Sequence, residues 1–235
     1  MKKIIKHIKK NWYKYVLEIL VVIVGVLIAF MLSNWNESIS MRKKEKILLT
    51  EIHNEFVLNR QQLDSVKKRH WEGYNSAKWF RDHFPFTDSN RPSNDSINFH
   101  LLKTATNWTF DPSQSTLNSI INTSSMELIS NPILRRNLMT WTDVVKDYKE
   151  EEDRMVAYGF GKYLDFFSSN YNLRKLFGYR KLENIKPMQT DEFENLMDTR
   201  FIRYRSIVHR DGELAEVERL LDEIITLTDP AKETN

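Results

Sequence analysis

The sequence contains no cysteine, which excludes a disulfide framework, thiolate zinc sites, iron–sulfur clusters and a cysteine nucleophile. Glycine and proline are scarce, six of each among 235 residues, and this excludes collagen-like and Gly/Pro-rich low-complexity chains. Neither residue occurs between Val26 and Glu72, so a helix in that stretch meets no strong breaker for about thirteen turns. Catalytic signatures are missing as well. There is no HExxH, no Glu-x-x-His, no GxxxxGK[ST] and no GxSxG, and Gly159-Phe160-Gly161 lacks the third glycine of a dinucleotide loop. From the residues alone the expectation is therefore a protein that is not an enzyme, with no cofactor, no metal site and no catalytic residues.

Charge is also nearly balanced, at 35 Lys and Arg against 32 Asp and Glu. Residues 1–35 hold six lysines and one acid, Glu18, which leaves 29 basic and 31 acidic residues for 36–235. Nucleic acid would require clustered cations to neutralise several phosphates, so no nucleic-acid partner is expected. The lysine-rich tail alternates with Ile4, Ile5, Ile8 and Trp12 at helical spacing and suits an anionic bilayer surface.

What the sequence does have is one long apolar run. Val16 to Leu32 reads VLEILVVIVGVLIAFML, with Trp12, Tyr13 and Tyr15 before it and Trp35 after it, as an aromatic belt would be placed. Residues 16–35 in a helix extend about 30 Å, the thickness of a hydrocarbon core. Bulky residues stand where a signal peptidase needs small ones, so the segment is read as a retained membrane anchor. Six lysines before the span, against Arg42, Lys43, Lys44 and Lys46 after it, favour a cytoplasmic N-terminus. Glu18 lies about 3 Å past the start of the span and can reach the headgroups, with Lys14 one turn back. Gly25 and Ala29 form a small-xxx-small pair that would admit a second helix.

The run Glu18-Ile19-Leu20-Val21-Val22-Ile23-Val24-Gly25-Val26-Leu27-Ile28-Ala29, followed by Asn34-Trp35-Asn36-Glu37, resembles the opening of the bacterial domain-of-unknown-function family 6090. Leu117 to Trp141 is similar in pattern. The resemblance implies a single-span membrane protein and supplies no reaction. It departs at Met31 and Ser33, where relatives are expected to carry Gln or Asn.

Beyond the span, a seam of Leu49, Ile52, Phe56, Asn59, Leu63, Val66, His70, Gly73, Ala77, Phe80 and Phe84 alternates by three and four residues, predicting a stalk helix over 36–84. Pro85 to Ser96 has loop composition, and residues 97–129 give only a short helix at Ser113 to Asn122. Asn131-Pro132 caps a second long helix, with Leu134, Leu138, Trp141, Val145, Tyr148, Glu152 and Met155 inward, loosened at Gly159 and Gly161 and ending near Ser168 to Asn170. A third helical region runs from Thr190 to Thr228 with a break at Gly212. The expected fold is all-α: a basic cytoplasmic tail (1–15), a transmembrane helix (16–35), and one extramembrane helical domain (36–235) that includes the long stalk.

The block Glu150-Glu151-Glu152-Asp153 reads as a solvated face, and His70 as a hydrogen-bonded core or interface histidine. Polar Asn59 and His70 within the seam also suit register-setting positions in a coiled coil, so a homodimer through the span and lower stalk is expected, strongest on the Gly25 and Ile52 face. The functional expectation is a membrane-anchored interaction or scaffolding protein in a bacterial inner membrane, with the bilayer and an unidentified protein as partners. The alternatives are an extracytoplasmic ligand-sensing bundle acting through a partner and, third, an enzyme without a recognisable motif.

Overall fold

The computed structural model describes residues 2–87, 89–176, 184–209 and 212–231, with the backbone alone for residues 2–11 and 15. Among the described residues there is helix and no strand. The chain divides into two compact units, Met1–Leu49 and Thr50–Asn235. The alternation of Ile4, Ile5 and Ile8 falls on side chains outside the described residues.

Helix α1 spans Lys2–His83. In the first unit it carries an apolar window of mean hydropathy 2.9, long and apolar enough to cross a membrane, with none of it buried by the protein. In the second unit the same helix turns amphipathic. Ile52, Phe56, Leu63, Val66, Ala77 and Phe80 are buried at the spacing the sequence predicts.

The rest of the second unit wraps this buried face. Helix α2 (Asn94–Thr104) is capped by Ser93, whose hydroxyl accepts from the Ser96 amide; it begins inside the segment expected to be loop. Helix α3 (Ser115–Asn122) matches the expected short helix within two residues. Helix α4 (Pro132–Tyr158) opens on Asn131, whose side chain accepts from the amides of Ile133 and Leu134, with proline in the first turn. A π-turn over Gly159–Tyr163, with Gly161 off helical dihedrals, joins α4 to α5 (Leu164–Asn170). The two glycines thus loosen and redirect the helix, which ends at Asn170, as the sequence predicts. A short α6 (Leu173–Leu176) follows. Helices α7 (Asp191–His209) and α8 (Glu213–Leu227) complete the unit, with Gly212 at φ +101° before α8, the left-handed conformation that glycine adopts at little cost.

Two apolar regions form the core. In one, Phe56 of α1 meets Trp141 of α4, ring centroids 5.0 Å apart. In the other, Phe80, Phe86, Ile97, Phe166, Phe167 and Phe193 cluster, with Phe80 edge-on to Phe193 at 5.6 Å. Of the aromatics between Trp71 and Phe110, Phe80, Phe86 and Phe110 are buried, Trp79 and Phe84 pack against the second cluster, and Phe99 and Trp108 are exposed. The α1 seam is covered from Ile52 upward by the chain's own helices. This corrects the expectation that the Ile52 face is open to a second copy.

Candidate functional site

Residues 105–114, between α2 and α3, form no helix or strand, so their amides and carbonyls need partners from elsewhere. Side chains of α1, α4 and α7 supply them. Asn59 of α1 pairs with the Ser113 peptide in both directions, Nδ2 donating to its carbonyl at 2.9 Å and Oδ1 accepting from its amide at 2.8 Å. Glu55, one turn earlier, accepts from the Ser115 hydroxyl at 2.6 Å and the Thr116 amide at 2.9 Å, a carboxylate at the N-terminus of α3. Burial alone would raise the Glu55 carboxyl, but bonds from Ser115, Thr116 and Ser113 hold it below its ordinary pKa. Asp111 is tied to Lys149 of α4.

Arg200 of α7 is fully buried. Its Nε donates to the Thr104 carbonyl at 2.8 Å, Nη1 to the Met155 carbonyl at 3.2 Å, and Nη2 to the Thr106 carbonyl at 2.8 Å and Asn107 Oδ1 at 2.7 Å. Tyr163 and Tyr204 present ring faces at 5.1 and 5.0 Å. The guanidinium joins α2, the 105–114 segment, α4 and α7, and among the described residues no carboxylate forms an ion pair with it. Carbonyl dipoles and ring quadrupoles replace water around the charge. Two glycines make room: a Cβ at Gly73 would lie 2.3 Å from the Tyr204 ring, and one at Gly159 2.5 Å from the Asn107 amide.

Beside Arg200 lies a second buried polar pair. His70 donates through Nε2 to the Trp108 carbonyl at 2.9 Å, and Glu152 accepts the Phe110 amide at 2.8 Å. The free Oε1 of Glu152 sits 3.6 Å from His70 Nε2, beyond hydrogen-bond reach, and has no partner. Burial pulls His70 down to about 4, with the Arg200 charge adding to the effect. Burial likewise pushes Glu152 up to about 8, against the Phe110 bond. Between those values the pair is neutral histidine and neutral acid, which suits a dry site. The expectation of a solvated acidic block is therefore corrected: Glu151 and Glu152 are buried, at 4% and 0% exposure, because Glu152 sits on the same α4 stripe as Trp141, Tyr148 and Met155.

A concave surface lies elsewhere. A groove of about 970 Å³ runs between the α4, π-turn and α5 wall and α7, with Tyr158, Gly161 and Phe166 on one side and Leu196, Thr199 and Arg203 on the other. Tyr158 bridges the walls, its hydroxyl donating to the Leu196 carbonyl at 3.1 Å. Among the described residues no group of three metal-ligating side chains converges.

The structure brings His70 into the buried centre and Asn59 to the segment below it, with Ile52 and Phe56 in the adjoining core. Glu18, Gly25, Ala29 and Trp35 are exposed on α1 of the first unit, and a Cβ at Gly25 would meet nothing within 4 Å. Sequence reasoning missed Arg200, Tyr163 and the 105–114 segment. A signal existed for Arg200, which falls at the inward spacing of Phe193, Met197 and Tyr204.

The model of the family of unknown function DUF6090 matches residues 18–158. No match to the chain is found among the curated proteins or the solved structures. The chain belongs to the DUF6090 family, and the match takes in the apolar run from Glu18 onward, His70, the 105–114 segment and all of α4. Arg200 and the α7 wall of the groove lie past its end.

Proposed function

We propose that the chain is a membrane-anchored interaction or scaffolding module in a bacterial inner membrane, which binds a partner protein in the groove between α4–α5 and α7 and catalyses no reaction. The N-terminal tail lies in the cytoplasm and residues 36–235 in the periplasm, as the lysine bias favours. The groove carries the reading. It is a concave, solvent-open surface beside a core whose polar groups are enclosed and bonded largely to one another. Arg200, His70 and Glu152 fasten the 105–114 segment and offer a substrate no entry. Self-association through Gly25 and Ala29 remains part of this proposal, confined to the first unit because the Ile52 face is occupied.

A photo-cross-linking residue at Ala157, in the groove, should trap a discrete partner in intact membranes, and one at exposed Lys146 should not. Equal trapping at both positions, or none at Ala157, would reject the groove as the docking face. A second reading, ligand sensing through a partner, is favoured by the π-turn in the groove wall, since such turns are frequent at functional sites. A small molecule that abolishes the Ala157 cross-link would support it.

A further inference from the structure

The groove's charges are segregated along its length, and that segregation says what fits it. The walls run antiparallel. Arg200 of α7 reaches the Met155 carbonyl near one end, and the tilted rings of Phe193 and Phe166 meet, centroids 5.5 Å apart, at the other. Arg154 and Arg203 therefore share one end, Lys162 lies between, and Asp165 and Glu192 share the other.

The cations are not equivalent. Arg154 is already held by Glu150 and Glu151. Lys162 is exposed and makes no ion pair among the described residues. Arg203 is half-buried, and its Nε is enclosed without any acceptor. The enclosed Nε is out of a ligand's reach, but the half-exposed guanidinium carries no ion pair among the described residues, and a carboxylate arriving at it gains charge-assisted hydrogen bonds to a partly desolvated donor. Tyr158 stands between these cations, its hydroxyl spent on Leu196, and so offers the incoming group a ring and no competing acid.

The groove is also much longer than one carboxylate. One wall extends from Arg154 through the π-turn to Asn170, a contour of about 24 Å at helical rise, so a docked helix of up to about four turns can lie along it. Exposed Ala157, with the edges of the largely buried Phe166 and Leu196, gives it a narrow apolar floor, which suits the apolar stripe of an amphipathic helix. We propose that the groove docks an amphipathic helix of a protein partner, with an acidic side chain of that helix received between Lys162 and Arg203. This rests on the reading of the groove as a docking face and adds the chemistry of what docks.

The test is a display library of 18-residue designed helices, each with a fixed apolar stripe and a randomised polar face, selected on the full chain in nanodiscs. Two variants run in parallel: A157W, which fills the floor, and the double variant K162Q/R203Q, whose folding is checked by its melting curve. A K162E variant repeats the charge test at an exposed position. The expected result is a set of helices enriched in Asp or Glu at one end, lost on A157W, weakened about tenfold or more on K162Q/R203Q, and weakened on K162E. Helices lost on A157W but neutral or basic, and indifferent to K162Q/R203Q, would overturn the acidic assignment and leave the docking face standing. Selection of no helix sensitive to A157W would overturn both.

Discussion

Helix α1 meets two environments without a break in its backbone. Over residues 16–35 its apolar side chains cover every direction and none is buried by the protein; over 52–80 they form one stripe, sealed by α4, α7 and α8. The contrast lies in periodicity. An apolar surface all round leaves no polar face for water and suits hydrocarbon, whereas a one-sided stripe needs a protein partner and here has its own chain. Residues of one type on the same helix should therefore behave differently in the two regions.

The largest difference is expected for phenylalanine. Phe56 is 1% exposed against Trp141, and Phe30 is 64% exposed. Replacing Phe56 with Ala should lower the stability of the second unit by about 4 kcal/mol through lost burial and a residual cavity. Phe30→Ala should leave it unchanged. Chemical denaturation in detergent, followed by tryptophan fluorescence, distinguishes them; comparable losses would mean that the apolar window packs on protein.

Charge comes next. Glu18 is exposed on α1, so Glu18→Gln should leave the stability of the second unit as it is. Arg200→Met should cost about 3 kcal/mol or more, because the Thr104, Thr106 and Met155 carbonyls lose their donor inside the protein. Arg200→Lys should recover only part of the loss, since one ammonium cannot span acceptors arranged around a planar guanidinium. A full recovery would show that charge alone matters there.

These contrasts separate what could be read in the sequence from what could not. The stripes could be read. Every seam residue from Ile52 to Phe80 on α1 and from Leu134 to Met155 on α4 is buried, since periodicity is a local property. The same rule places Glu152 in the α4 seam, and it prevails over the compositional reading of four consecutive acids. Residues 105–114 could not be read, because their bonds come from Asn59, His70, Glu152 and Arg200, distant in sequence and drawn from three helices. The groove is harder still: it exists only where the π-turn carries α4 into α5 beside α7, and no local pattern specifies that pairing.

A smaller effect, about 2 kcal/mol, should appear with pH. Glu152 is raised from 4.5 to about 8, so its contribution to stability is full below 4.5 and is lost as pH rises through 8. His70 is lowered from 6.5 to about 4, so its contribution is full above 6.5 and is lost as pH falls through 4. Between about 4.5 and 6.5 the opposing slopes cancel, because one proton is bound in either state and folding moves it from histidine to the acid. Above 6.5 the acid acts alone, and stability should fall by about 2 kcal/mol by pH 8, at 1.36 kcal/mol per pKa unit. Glu152→Gln should remove this alkaline fall and keep the acid-side loss. An unchanged alkaline slope would place its origin in other groups.

The smallest difference is expected for glycine, where one methyl group is added to the same helix at two places. At Gly73 a Cβ would stand 2.3 Å from the Tyr204 ring. Gly73→Ala must therefore displace that ring, whose hydroxyl donates to the Thr106 carbonyl at 2.9 Å. The intrinsic helix preference for Ala, about 1 kcal/mol, works the other way. Overpacking in a close-packed core costs about 1–3 kcal/mol, so the net loss should be on the order of 1 kcal/mol, with weaker amide protection at residues 105–114. At Gly25 nothing lies within 4 Å of the added carbon, and Gly25→Ala should leave the stability of the second unit unaltered. Its effect belongs in the first unit. If Gly25 and Ala29 hold a second span, a cysteine at position 32 should cross-link less in Gly25→Ala than in the parent chain, because an added methyl separates the two backbones. No cross-linking in either chain would mean that this face of the span packs against lipid alone, and equal cross-linking in both would mean that the two spans meet without needing Gly25.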